Sequence, residues 1–198
     1  MNNHTHASCE NDEGTQKSPV HHLIDRTLLG DRKIFLWGQV DDDSAEEIVS
    51  RLYYLDSVRP GETITMFINS PGGLTTSGFS ILDTMNLISS PVSTVCMGLA
   101  ASMGSILLSA GEKGMRFIYP MGEVMIHQPS MGLLRGTASD LEINAKQIIK
   151  TRKRAAEILA RNCAKSEEQI MQDFERDYWM DAQESIEYGI VDGIYPAR

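Results

Sequence analysis

Cysteine is scarce in this chain. Cys9, Cys96 and Cys163 are far apart, odd in number and show no CxxC spacing. That excludes a disulfide framework and points to reduced thiols in a cytoplasmic setting. No Cys/His cluster has ligand spacing, so a zinc site is not expected. Basic charge is short as well: 18 Lys plus Arg stand against 27 Asp plus Glu, a formal net charge of −9. An acidic chain with no basic run or aromatic-basic stripe is a poor match for nucleic acid or an anionic membrane. The stretch "MNNHTHASCENDEGTQKSP" contains no Leu, Ile, Val or Phe, hence no signal-peptide core. Thr84 to Gly111 carries no charge, but Pro91, Gly98, Gly104 and several serines break it up, which disfavours a membrane span. No GxxxxGK[ST] loop is present.

What remains is an ordinary globular composition. A 198-residue chain that is 41% hydrophobic suits one domain with a sizeable core. Residues 1–19 read as a disordered or processed tail, and residues 20–198 as a single domain. Short apolar runs alternate with amphipathic segments. "KIFLWGQV" opens as a strand stopped by glycine. "DDDSAEEIVSRLYYLDSV" has Ile48, Leu52 and Leu55 at helical spacing and a cap at Asp43 or Ser44. "TITMFI" is a strand, "NSPGGLTTSG" a loop and "FSILDTMNLI" a helix. "PVSTVCM" is a strand, "GLAA" a tight bend and "SMGSILLSAG" a short buried helix. "MRFIY" and "EVMIH" are further strands. This alternation predicts an α/β fold of repeated βα units around a parallel sheet. A long helix follows over about 139–163, with Leu141, Ala145, Ile148, Ala155 and Leu159 near one face. It lies outside the alternation and could serve as an arm for oligomer contacts, although periodicity alone reads as an ordinary packed helix. "SEEQIMQDF" and "DAQESIEYG" are short capped helices, and "IVDGIY" is a last strand.

Ser102, in "GLAASMGS", invites a chemical reading. Alone it reads as a helix cap. A serine nucleophile needs a base within hydrogen-bond reach. Of the five histidines, His4, His6, His21 and His22 lie in or just after the polar tail, so only His127 lies well inside the folded body. It falls at a strand end, where α/β sheets place working residues and where structural histidines also occur. A carboxylate must orient such a base. Asp140, Asp173, Asp177 and Asp181 all qualify, and composition does not choose among them. An oxyanion hole could come from the N–H of Met103, in the first turn of a helix, together with "SPGG", where Gly72 and Gly73 allow close backbone approach.

Four blocks now carry a family resemblance: "FINSPGG", "CMGLAASMGS", "VMIHQP" and "ERDYWMDAQESIEYGIVDGI". In this order and near this spacing they resemble the proteolytic subunit of the Clp protease, over roughly residues 26–195. The resemblance implies a crotonase-like fold with a long protruding handle helix at about 139–163. It implies a serine endopeptidase with Ser102 as nucleophile, His127 as base and Asp177 as orienting carboxylate. Gly73 and Met103 match the family's oxyanion donors. It further implies two stacked heptameric rings around a chamber, fed with unfolded protein by an AAA+ ATPase, without metal or cofactor. The residues after His127 would pair with an extended substrate as an added strand.

Three departures accompany the resemblance. The axial-loop segment expected near the N-terminus is not recognisable in "SPVHHLIDRTLLGDRKIFL". The loop "PSMGLLRGTASD" is one residue longer than expected. Among positions that would form the ATPase-docking pocket, Tyr53, Tyr54 and Phe67 fit, but Thr65 and Leu87 replace expected aromatics. These departures suggest a second paralogue in a mixed ring, or one with a restricted ATPase partner. Two other readings stay open: a ring subunit with an idle site, and a crotonase-type acyl-CoA enzyme that would need a glutamate acid/base.

Overall fold

The computed structural model describes residues 19–129 and 136–196. Residues 1–18 of the expected tail, Cys9 among them, and half of the lengthened loop after His127 lie outside the described residues, while Pro19 begins the first helix. The described chain runs α1 (Pro19–Gly30), β1 (Lys33–Val40), α2 (Asp42–Val58), β2 (Ile64–Gly73), α3 (Thr75–Leu87), β3 (Val92–Ala101) and α4 (Met103–Ser109). It continues with β4 (Arg116–Ile118), β5 (Glu123–Ile126), α5 (Ala138–Cys163), α6 (Glu167–Asp173), β6 (Tyr178–Met180), α7 (Ala182–Tyr188) and β7 (Gly193–Ile194). The expected α/β architecture of βα units is present. The strand order is β1-β2-β3-β4-β7, all parallel.

The sheet forks at β3, and the fork builds the site. The first half of β3 pairs with β4, through Thr94 opposite Arg116 and Cys96 opposite Ile118. Its second half pairs with β5, through Leu99 opposite Glu123 and Ala101 opposite Met125. The far side of β5 pairs antiparallel with β6. β5 thus carries His127 to the end of β3, beside Ser102, while β6 returns along its other edge.

Glycine placement explains where the strands differ from the sequence reading. β1 does not stop at Gly38, β2 runs through "SPGG", and β3 runs through "GLAA". Gly38, Gly72 and Gly98 all hold φ near +90°, which glycine adopts without a Cβ clash. The strands bend there rather than end: the β1–β2 register shifts between Trp37 and Gln39, and the β2–β3 register between Ile68 and Ser70. These are bulges, not turns. At the second shift the Asn69 side chain accepts the Leu99 N–H at 3.2 Å, bridging the interrupted ladder.

The helix caps needed correction too. α2 is capped by Asp41, two residues before Asp43 and three before Ser44, the expected caps. Asp41 accepts the Ser44 N–H at 2.9 Å, and the Ser44 hydroxyl accepts the Asp41 N–H at 2.9 Å, satisfying two helix-end donors reciprocally. Three consecutive aspartates could cap, and only the extended backbone of Asp41 selects it. Ile48, Leu52 and Leu55 are buried as their spacing predicted, and each contributes about 2 kcal/mol by leaving water. Helix α1 and strand β6 are absent from the sequence reading altogether.

α5 extends over 26 residues, close to the range expected. Its predicted apolar face divides. Ala155 and Leu159 are buried in the core, but no residue before Ala155 is buried. Leu141, Ile143 and Ile149 are exposed, so the first half of the helix stands off the body as a handle. At the other end of the chain, Arg116 on β4 is 4% exposed and binds Asp192 beside β7 through two nitrogens, while also donating to the Asn162 carbonyl at 2.8 Å. That network ties the sheet edge to the base of α5. Among the described residues no helix is long and apolar enough to cross a membrane.

Candidate active site

Ser102 occupies the junction between β3 and α4. It holds φ 54° and ψ −120°, a conformation that L-residues rarely adopt. Its N–H donates to the Met125 carbonyl at 2.9 Å, which continues the β3–β5 pairing into the turn. It stands at the cap position of α4, yet its side chain makes no capping hydrogen bond. The hydroxyl instead lies 2.8 Å from His127 Nε2. The helix-cap reading of this serine therefore describes its backbone position and not its side chain.

His127 is the first residue after β5, and 26% of its side chain is exposed. Its Nδ1 lies 3.3 Å from Asp177 Oδ1. A carboxylate there favours the tautomer with its proton on Nδ1, leaving Nε2 to accept the serine proton. The topology explains the meeting. β5 and β6 pair Val124 with Met180, Met125 with Trp179 and Ile126 with Tyr178. The next antiparallel rung would set His127 opposite Asp177. The loop carrying Asp177 is also stitched to the residue after His127: the Gln128 N–H donates to the Phe174 carbonyl at 2.7 Å, and its side-chain amide to the Glu175 carbonyl at 3.1 Å.

The other candidate carboxylates have local partners. Asp140 accepts from the N–H and hydroxyl of Thr137, the cap of α5, and these hydrogen bonds hold the Asp140 carboxyl below its usual range. Asp181 caps α7. Asp173 accepts from the Tyr188 hydroxyl at 2.8 Å and from the Gln169 amide at 2.7 Å. The structure thus separates four aspartates that composition left tied. Strand β6 carries the distinction. "YWM" is a β-favouring triplet, but three residues are too few for periodicity to reveal.

The two expected anion-binding residues, Gly73 and Met103, line one cavity with Ser102 and His127. Thr75, Ile106 and Pro129 complete it, and its volume is about 190 Å³. Met103 is the first residue of α4, so its N–H has no acceptor within the helix. Its side chain packs against Gly78, leaving no room for a Cβ there. Gly72 donates its N–H to Ser70 Oγ at 3.1 Å, so it is already engaged. A Cβ on Gly72 would fall 2.6 Å from Ser102 Cβ and 2.9 Å from Met103 N. Gly72 is what lets β2 touch the serine turn, whereas a Cβ on Gly73 would run into the Val40 backbone of β1.

The cysteines offer no competing nucleophile within the described structure. Burial pushes the Cys96 and Cys163 thiols up to about 12, which keeps both protonated at neutral pH. No group of three His, Cys, Asp or Glu residues is placed to hold a metal ion among the described residues.

A second cleft, of about 490 Å³, is walled by Phe35, Phe67, Tyr119 and Tyr195, with Lys33 at its edge. The Phe35 and Phe67 rings stack at 5.1 Å, and Tyr195 meets Phe67 edge-on at 5.8 Å. Phe67 is thus packed between two aromatic rings in the wall of this cleft. Tyr53 and Tyr54 do not line this cleft; both are exposed on α2.

A hydroxyl, an imidazole and a carboxylate in succession, beside N–H groups at a helix start, form an arrangement able to perform acyl transfer through serine. Residues 16–198 match the family model described as Clp protease, and the chain belongs to the Clp protease family. It is a peptidase of the Clp type on that ground.

Proposed function

We propose that the chain is a serine endopeptidase in which Ser102, His127 and Asp177 form the catalytic triad. The observation that carries this reading is the 2.8 Å contact between Ser102 Oγ and His127 Nε2, made by a serine whose side chain is free of capping duty. His127 Nε2 accepts the Ser102 proton as Oγ bonds to the peptide carbonyl carbon. The carbonyl electrons move onto oxygen, facing the N–H groups of Gly73 and Met103. Asp177 holds the imidazolium in place. The oxyanion collapses, the C–N bond breaks and the leaving amine takes the proton from His127. Water, deprotonated by His127, then cleaves the ester and restores the serine.

The family supports a setting for this chemistry. We place the peptidase in one domain over residues 20–198, in a cytoplasmic compartment, assembled as two stacked heptameric rings. The exposed Leu141, Ile143 and Ile149 on the handle fit a contact between rings. The aromatic cleft around Phe67 and Tyr195 fits the docking loops of an AAA+ ATPase that delivers unfolded protein. Leu87 is 77% exposed and Thr65 half-buried where further aromatics would strengthen docking. That difference supports a mixed ring with a paralogue, or a restricted ATPase partner. Co-purification through a tagged copy should recover a second subunit or a single ATPase. Homomeric rings with ordinary ATPase-driven activity would overturn it.

The acyl-CoA reading gains no support, because no glutamate is among the described residues lining the cavity. A fluorophosphonate probe tests the central claim. Stoichiometric labelling that maps to Ser102, together with loss of peptide cleavage in Ser102→Ala, is expected. Undiminished cleavage by Ser102→Ala would overturn it, and an unlabelled, inactive native chain would indicate an idle subunit.

A further inference from the structure

Asp177 is the least secured member of the site. It is 62% exposed and stands 3.3 Å from His127, and it lies in a short connection between α6 and β6. Something must aim it. The residue that follows, Tyr178, points to the opposite face of β6, since side chains alternate along a strand. There its ring packs against Tyr188 at 5.6 Å between centroids. Tyr188 is the last residue of α7 and is 7% exposed. Its hydroxyl donates to Asp173 Oδ2 at 2.8 Å, and Asp173 is the last residue of α6. The other oxygen of Asp173 accepts from Gln169. Lys165 Nζ sits over the Tyr188 ring, 4.4 Å from its centroid.

These contacts close a loop in space. The connection from Asp173 to Tyr178 leaves α6 and enters β6, and Tyr188 grips both of its ends. It holds the first end by a hydrogen bond and the last by ring packing. Asp177 is the residue next to the second grip. We propose that Tyr188, acting with Asp173, is a positioning residue that sets the direction of Asp177 toward His127. Neither residue touches the reacting atoms. The groups facing the Tyr188 phenol are Asp173, Lys165, Tyr178 and the buried Cys163. Burial first, and the Asp173 hydrogen bond second, raise the phenol well above its ordinary range. It therefore remains a donor at any working pH.

This inference rests on the triad reading above, and its test is built to fail separately from that reading. Tyr188→Phe keeps the ring and removes only the hydroxyl. In the full, assembled chain, with a blocked fluorogenic peptide as substrate, kcat should fall roughly threefold to tenfold, the scale of one lost hydrogen bond, while KM stays unchanged. Asp173→Ala should give the same loss. Asp173→Asn, which keeps an acceptor oxygen, should recover most of it. On an Asp177→Asn background, measured above the Ser102→Ala blank, Tyr188→Phe should have little further effect, because the residue it aims is already disabled. An unchanged kcat in Tyr188→Phe would overturn the proposal. So would an equal loss on both backgrounds, which is the signature of a merely structural tyrosine. Cleavage retained by Ser102→Ala would instead strike the triad reading itself.

Discussion

His127 and Asp177 sit one rung beyond the last paired residues of β5 and β6, Ile126 and Tyr178, with 3.3 Å between Nδ1 and Oδ1. The contact is thus an extension of strand pairing past the point where backbone pairing stops. The register of a short antiparallel ladder fixes it, because a slip by one residue would turn Asp177 to the other face.

Asp177→Asn leaves that ladder in place but removes the charge that supports the imidazolium. We expect kcat to fall by roughly 10²- to 10⁴-fold, the range for orienting carboxylates, with KM and assembly unchanged. Steady-state kinetics on assembled protein measure this. A loss smaller than tenfold would mean that His127 is oriented by something other than Asp177.

Gly72→Ala tests the approach of β2 to the serine turn. The added Cβ would meet Ser102 Cβ at 2.6 Å and the Ala101 carbonyl at 2.8 Å, at a residue whose φ is +90°. Both the clash and the left-handed backbone act against it. The variant should fold with a stability loss of about 1–3 kcal/mol and lose most of its reactivity toward a fluorophosphonate. Normal labelling of Gly72→Ala at Ser102 would show that the turn has slack that these distances deny.

The sequence disclosed the βα repetition, the lone interior histidine and the buried face of α2, because each follows from local composition or period. It misplaced strand ends at Gly38, Gly72 and Gly98, where a positive φ makes a bulge in a continuing strand instead of a stop. Those are long-range matters, decided by a neighbouring strand. Composition and period left Asp177 tied with Asp140, Asp173 and Asp181, and only the family resemblance singled it out; its place beside His127 has a long-range cause. It depends on β6 lying antiparallel to β5, and three residues of strand leave no periodic trace. The handle shows a different limit. The apolar spacing from Leu141 onward continues evenly into the core, yet burial begins only at Ala155. Periodicity reports which face is apolar and says nothing of what covers it.

The Arg116–Asp192 pair should dominate the response to acid at the sheet edge. Burial alone would raise the Asp192 carboxyl, but hydrogen bonds from Arg116 and Gly114, with the charge of Arg116, outweigh it and hold the carboxyl below its ordinary range. A depressed carboxyl adds stability above its unfolded pKa of about 3.9 and loses it as pH falls through the folded value. Asp192→Ala should cost about 3 kcal/mol near pH 7, because it strands the buried guanidinium. The gap between variant and native protein should narrow as pH drops below about 4. Chemical denaturation at several pH values measures both effects. A gap that widened in acid would contradict the assigned direction.

Ser102 itself should hold strain, and the strain can be read without reference to activity. At φ 54° and ψ −120° its Cβ is unwelcome, while glycine adopts that region freely. Replacing Ser102 by alanine removes the hydroxyl but retains the Cβ. Replacing it by glycine removes both. Ser102→Gly gains relief of about 1–3 kcal/mol from strain and loses about 0.5–1 kcal/mol to the extra freedom of the unfolded chain. It should therefore unfold at a higher temperature than Ser102→Ala, and on the proposed mechanism neither variant cleaves peptide. Comparing two inactive variants cancels the hydroxyl and isolates the backbone. If Ser102→Gly unfolds at the lower temperature, the turn is unstrained, and the placement of the hydroxyl against His127 costs the fold nothing.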